Sequence, residues 1–140
     1  MREILFRGKR VDNGEWAYGD LIHTPENKTR IIWFEPMYSD GIDFYNDFNY
    51  LVDNETIGQF TGLLDKNGNK IFEGDIVKVL NKPYESKEPI IVVWGKKSYG
   101  WSLKFNCGNH YEHKPLIKYY SLPSSKNIEI TGNIHDHATL

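Results

Sequence analysis

Cysteine occurs once, at Cys107. No intrachain disulfide can form, and one chain offers no thiolate cluster to a metal. Alanine occurs twice, at Ala17 and Ala138, and methionine twice. Alanine is the strongest helix former, so its scarcity argues against a mainly helical fold. No stretch approaches the ~20 apolar residues of a membrane-spanning helix, so no membrane partner is expected. Neither sign of charge is in excess: 17 Lys and Arg stand against 19 Asp and Glu, a formal net charge of −2. No overall field therefore drives the chain onto nucleic acid or lipid. The opening MREILFRGKR is charged and lacks the apolar centre of a secretory signal, so a cytoplasmic location is expected.

Aromatic residues, glycine and asparagine are abundant. The chain has 4 Trp, 9 Tyr, 7 Phe and 12 Gly in 140 residues. Aromatic and β-branched residues favour strands, and Gly and Asn favour the turns between them. The organising stretch is QFTGLLDKNGNKIFEGDIVKVL at 59–80. Asn67-Gly68 sits between Leu63-Leu64 and Ile71-Phe72, a hairpin signal, with Asp65 and Lys66 lengthening the loop. Gly74-Asp75 then permits a sharp bend before Ile76, Val77, Val79 and Leu80. Asp75 reads as a turn residue bonding backbone N–H groups just after it, and Glu73 as a solvated strand residue. A shorter copy of the pattern lies at Asn13-Gly14, Trp16, Tyr18 and Gly19-Asp20, which leaves internal duplication open.

Elsewhere, strands are expected at 2–7, 15–23, 31–34, 90–94, 101–105, 116–122 and 128–134. The run 90–94 is apolar throughout and predicts burial on both faces. In 101–105, Trp101, Leu103 and Phe105 share one face, with Ser102 and Lys104 on the other. From Glu35 to Glu55 the chain holds Glu35, Asp40, Asp43, Asp47, Asp53 and Glu55 without a Lys or Arg, interleaved with aromatics. It reads as a long irregular connection packed by its aromatics, with a short helical turn over 43–50 as the alternative. Short strands at short intervals predict an all-β fold, a small barrel or sandwich with features of an SH3-like barrel. One domain spanning 1–140 is expected, with a possible subdivision near 55 into 1–55 and 56–140.

Three segments together, REILFRGKRVDNGEWAYGDLI, ETIGQFTGLLDKNGNKIFEGDIVKV and EITGNIHD, resemble the YopX family of phage and prophage proteins. The central pattern carries most of that resemblance. It implies a mostly β fold and a bacteriophage or prophage setting, and it transfers no catalytic residue, cofactor or metal to this chain.

Candidate chemistry is sparse. His135 and His137 would share one face of a strand and reach one ion, but no third ligand is indicated. His110 and His113 lie in a segment read as a loop. Cys107 has His110 near it in sequence, without a third group to orient a base. No enzyme activity, cofactor or metal is expected. The basic residues Arg2, Arg7, Lys9 and Arg10, together with Lys96, Lys97 and Trp101, make a candidate nucleic-acid surface of cations and a stacking ring. The leading expectation is a non-catalytic binding or assembly module that forms a homo-oligomer, an acidic loop of one subunit meeting a basic strand of another, with a host or phage protein as a further possible partner. The alternative is a nucleic-acid-binding β-barrel, and a third reading is an enzyme centred on Asp75 or the histidine tail.

Overall fold

The computed structural model describes residues 3–80, 89–95, 100–106, 117–121 and 125–137. Among them are eleven strands, two 3₁₀ turns and one single-turn helix, and the strands form antiparallel sheets. The all-β expectation holds. No helix among the described residues is long and apolar enough to cross a membrane. The chain divides into two compact units, Met1–Phe60 and Thr61–Leu140.

The first unit contains β1 (Phe6–Lys9), β2 (Trp16–His23), β3 (Thr29–Ser39), β4 (Ile42–Val52) and the start of β5 (Gly58–Leu64), ordered β4-β3-β2-β1-β5. The first half of β2 pairs with β1 and the second half with β3. Gly19 lies at the changeover. An added Cβ there would sit 2.3 Å from the Ile32 carbonyl oxygen, so only glycine lets the two backbones approach. The end of β4 returns to the end of β1: Val11 N–H donates to the Leu51 carbonyl at 3.0 Å, and Asp53 N–H to the Lys9 carbonyl at 2.9 Å. The sheet thus curls around Ala17, Ile31 and Val52, with Leu21, Tyr50 and Ile57 packed against them.

The second unit holds the rest of β5, β6 (Lys70–Phe72), β7 (Asp75–Val79), β8 (Ile90–Gly95), β9 (Gly100–Asn106), β10 (Ile117–Ser121), β11 (Ile128–Asn133) and the helical turn α1 (Ile134–His137). Five strands run in the order β10-β9-β8-β7-β11. Their alternation buries Val77, Ile90, Val92, Leu103 and Ile128 in one apolar cluster, which Ile71 of β6 completes.

Several expectations need correction. The stretch 35–55 is not an irregular connection and is not helical over 43–50: residues 35–52 belong to the β3–β4 hairpin, which is in register from Thr29↔Val52 to Ser39↔Ile42, and a 3₁₀ turn at Asn54–Thr56 follows. The first strand is Phe6–Lys9 rather than 2–7. In β8, Ile90 and Val92 are buried, but Ile91 and Val93 are only partly covered and Trp94 is exposed, so the strand is not buried on both faces. In β9, Ser102 is as buried as Leu103, its hydroxyl hydrogen-bonded to the Gly100 carbonyl. The final strand stops at Asn133, and the histidines follow in a helical turn. The two Asn-Gly steps both join hairpins, but the two Gly-Asp steps differ: Gly19-Asp20 lies inside one strand with Asp20 exposed, whereas Gly74 occupies a turn and Asp75 is buried.

Candidate interaction surface

Asp65 is 4% exposed, and its carboxylate accepts from the Asn67 and Asn69 N–H groups, each at 2.9 Å, and from Ile130 N–H at 3.1 Å. One side chain thereby closes its own five-residue loop and ties it to β11. Burial alone would raise its pKa, but these backbone donors outweigh burial and hold the carboxyl below its ordinary value. Asp75 accepts from Phe72 N–H at 2.7 Å, three residues behind it in the chain. Gly74, at φ +90°, donates to the Val92 carbonyl and accepts from Ile134 N–H. Asn133 caps α1, its side-chain oxygen accepting from the His135 and Asp136 N–H groups at 3.0 and 2.9 Å. The signature residues are therefore backbone clamps.

His135 and His137 lie in α1, a helical turn and not the strand that the expected pairing requires. No group of three potential metal ligands occurs among the described residues. Cys107, His110, His113, Arg2, Lys96 and Lys97 lie outside the described residues. Arg7 is buried, with its guanidinium 4.5 Å from the centre of the Trp16 ring, and Lys9 Nζ is 5.4 Å from that ring. Arg10 stacks 3.8 Å from the Tyr50 ring and grips the Asp12 carboxylate through two hydrogen bonds of 2.9 and 2.7 Å. That hydrogen bonding raises the Arg10 pKa and lowers that of Asp12. Trp101, on β9 of the second unit, meets Trp94 edge to face at 5.0 Å. The basic residues of β1 are thus held on aromatic rings of their own unit.

The surface that sequence reasoning missed is the β3–β4 arm. β2 leaves β3 at Ile32, and from Trp33 to Phe48 the hairpin is a two-stranded ribbon about 23 Å long. Its tip is Asp40-Gly41, at φ 53° and 77°, the two positive values of a two-residue hairpin turn. Cross-strand partners share a face. One face continues outward from the buried Thr29, Ile31 and Val52 through Trp33↔Phe48, Glu35↔Asn46, Met37↔Phe44 and Ser39↔Ile42. Trp33, Met37, Ile42 and Phe44 on it are 37–64% exposed. The opposite face carries Phe34↔Asp47, Pro36↔Tyr45 and Tyr38↔Asp43, with the three aromatics 56–72% exposed. At ~200 Å² per large side chain, each face of the arm leaves roughly 400 Å² of apolar surface uncovered, the size of a functional patch on a soluble protein. Residues 31–50 carry Glu35, Asp40, Asp43 and Asp47 and no Lys or Arg, so the patch is also acidic.

No curated protein matches the chain. The crystal structure of protein EF1440 from Enterococcus faecalis is similar, with a TM-score of 0.56 and 22% identity over 99% of this chain and 97% of that one. At that identity the likeness concerns the fold alone. The family described as YopX protein matches residues 5–140, which include the buried Asp65 and Asp75 clamps and the Asn133 cap. On that match the chain belongs to the YopX family.

Proposed function

We propose that this chain is a non-catalytic binding or assembly module whose working element is the β3–β4 arm, acting in the bacterial cytoplasm in a phage or prophage setting. The observation that carries the reading is the uncovered apolar ladder Trp33, Met37, Ile42 and Phe44, continuous with a buried core. An exposed two-stranded ribbon is marginal alone, and a partner that covers one face would stabilise it. The backbone duties of Asp65, Asp75 and Asn133 support the non-catalytic part, because the conspicuous polar groups of the motifs already serve the fold.

The test is a photoreactive benzophenone amino acid in place of Phe44, activated in living cells that produce the protein. Adducts at position 44, absent when the same group replaces the exposed Val11, are the expected result. No adduct at position 44 would remove the arm from consideration.

A further inference from the structure

The chain is electrically bipolar. Residues 1–60 hold 6 Lys and Arg against 11 Asp and Glu, a net of −5, while residues 61–140 hold 11 against 8, a net of +3. In the second unit one end gathers exposed leucine and lysine. Lys66 N–H donates to the Ile128 carbonyl at 2.9 Å and Leu80 N–H to the Asn127 carbonyl at 2.8 Å. These bonds bring the β5–β6 loop, the end of β7 and the start of β11 together. Leu63, Leu64 and Leu80 there are 39–44% exposed, and Lys70 and Lys78 are exposed. Lys66 lies 3.3 Å from Glu129, which also faces Lys78 across the sheet, so two cations flank one carboxylate. Asp65, the acid nearest in sequence, is buried and does not offset them at the surface.

We propose that the acidic, apolar arm of one copy docks on this leucine–lysine end of the second unit of another copy. The inference rests on the arm being a binding element and names its partner. Both surfaces are uncovered in the single chain, and their chemistry is complementary: aromatic with carboxylate on one side, leucine with ammonium on the other. Arm-to-arm docking is disfavoured by charge. Antiparallel pairing of β4 with its copy about Tyr45 sets Asp43 opposite Asp47 twice, and packing the apolar faces about Glu35↔Asn46 brings two Glu35 carboxylates together. Arm-to-end docking uses two different surfaces, so it is head to tail and produces a ring or a filament.

The test is light scattering on the purified full chain at about 100 μM, at low and high salt, with two variant proteins whose folding is checked by melting. The arm variant is Trp33→Ser with Phe44→Ser, and the end variant is Leu64→Glu with Lys70→Glu. The wild type should exceed monomer mass and fall toward it in about 1 M salt. Each variant alone should weaken association at least about tenfold. An equimolar mixture should form two-copy particles and nothing larger, because one intact arm then meets one intact end. Should the serine pair unfold the chain, Asp43→Lys with Asp47→Lys tests the same arm by charge. The proposal is overturned by a wild type that stays monomeric, by an arm variant that assembles normally, or by an end variant that still assembles alone. A monomeric wild type whose position-44 benzophenone joins a different protein in cells would remove self-docking and leave the broader reading standing.

Discussion

Asp65 binds three backbone N–H groups of two segments through one carboxylate, and its removal is the sharpest single-residue test of how the second unit is held. Asp65→Ala leaves the N–H groups of Asn67, Asn69 and Ile130 without their acceptor. An unsatisfied buried donor costs about 1–3 kcal/mol, and the loop can open to water, so a loss of about 3 kcal/mol in urea unfolding is expected. The pH dependence has a definite sign. The folded carboxyl titrates below its unfolded value, so the native state favours the ionised form. The contribution is complete above the unfolded value of about 4 and is lost as pH falls through the lower folded value. The stability gap between wild type and Asp65→Asn should therefore be constant from neutral pH to mildly acidic pH and narrow below about pH 4. A gap that persists unchanged into strong acid would mean that the ionised carboxylate is not what holds the loop.

Among the elements, the arm and the sheet that bears it should separate energetically. Ile31 is buried at the base, whereas Trp33 and the residues beyond it toward the tip are exposed. Ile31→Ala should cost about 3 kcal/mol, and replacing 34–47 by a two-residue Asn-Gly turn should cost under about 1 kcal/mol. Chemical unfolding of both variants checks this, and a severe loss on shortening would mean that the arm is part of the core. The same element shows what was legible. The hairpin turns at 67–68 and the strands of the second unit stand out because one face is buried, which writes a period of two into residues such as Val77 and Val79. The arm has both faces in solvent, so aromatics and acids occur on each and the alternation is lost. Its one local signal was Asp40-Gly41, a hairpin dipeptide hidden among acids that otherwise suggest a loop. The clamps formed by Asp65 and Asn133 were illegible as such, because their acceptor roles depend on where the backbone brings distant N–H groups.

For the whole molecule, assembly and stability are linked. A copy that docks only when folded stabilises the native state by mass action, so melting must depend on concentration. If arm-to-end docking holds, raising the concentration a hundredfold from well below saturation adds up to about 2.7 kcal/mol. For a chain of this size that is a rise of roughly 8 °C at most in melting temperature. The opposed charges of the two units make the effect salt-sensitive, because partly exposed ion pairs are screened within about 8–10 Å at ordinary ionic strength. Trp33→Ser with Phe44→Ser should leave the melting temperature flat across the same range, since the arm's apolar ladder no longer has the side chains that dock. A concentration dependence that survives in that variant would assign the association to another surface, while a flat wild type would show that folding and assembly are not coupled through the arm.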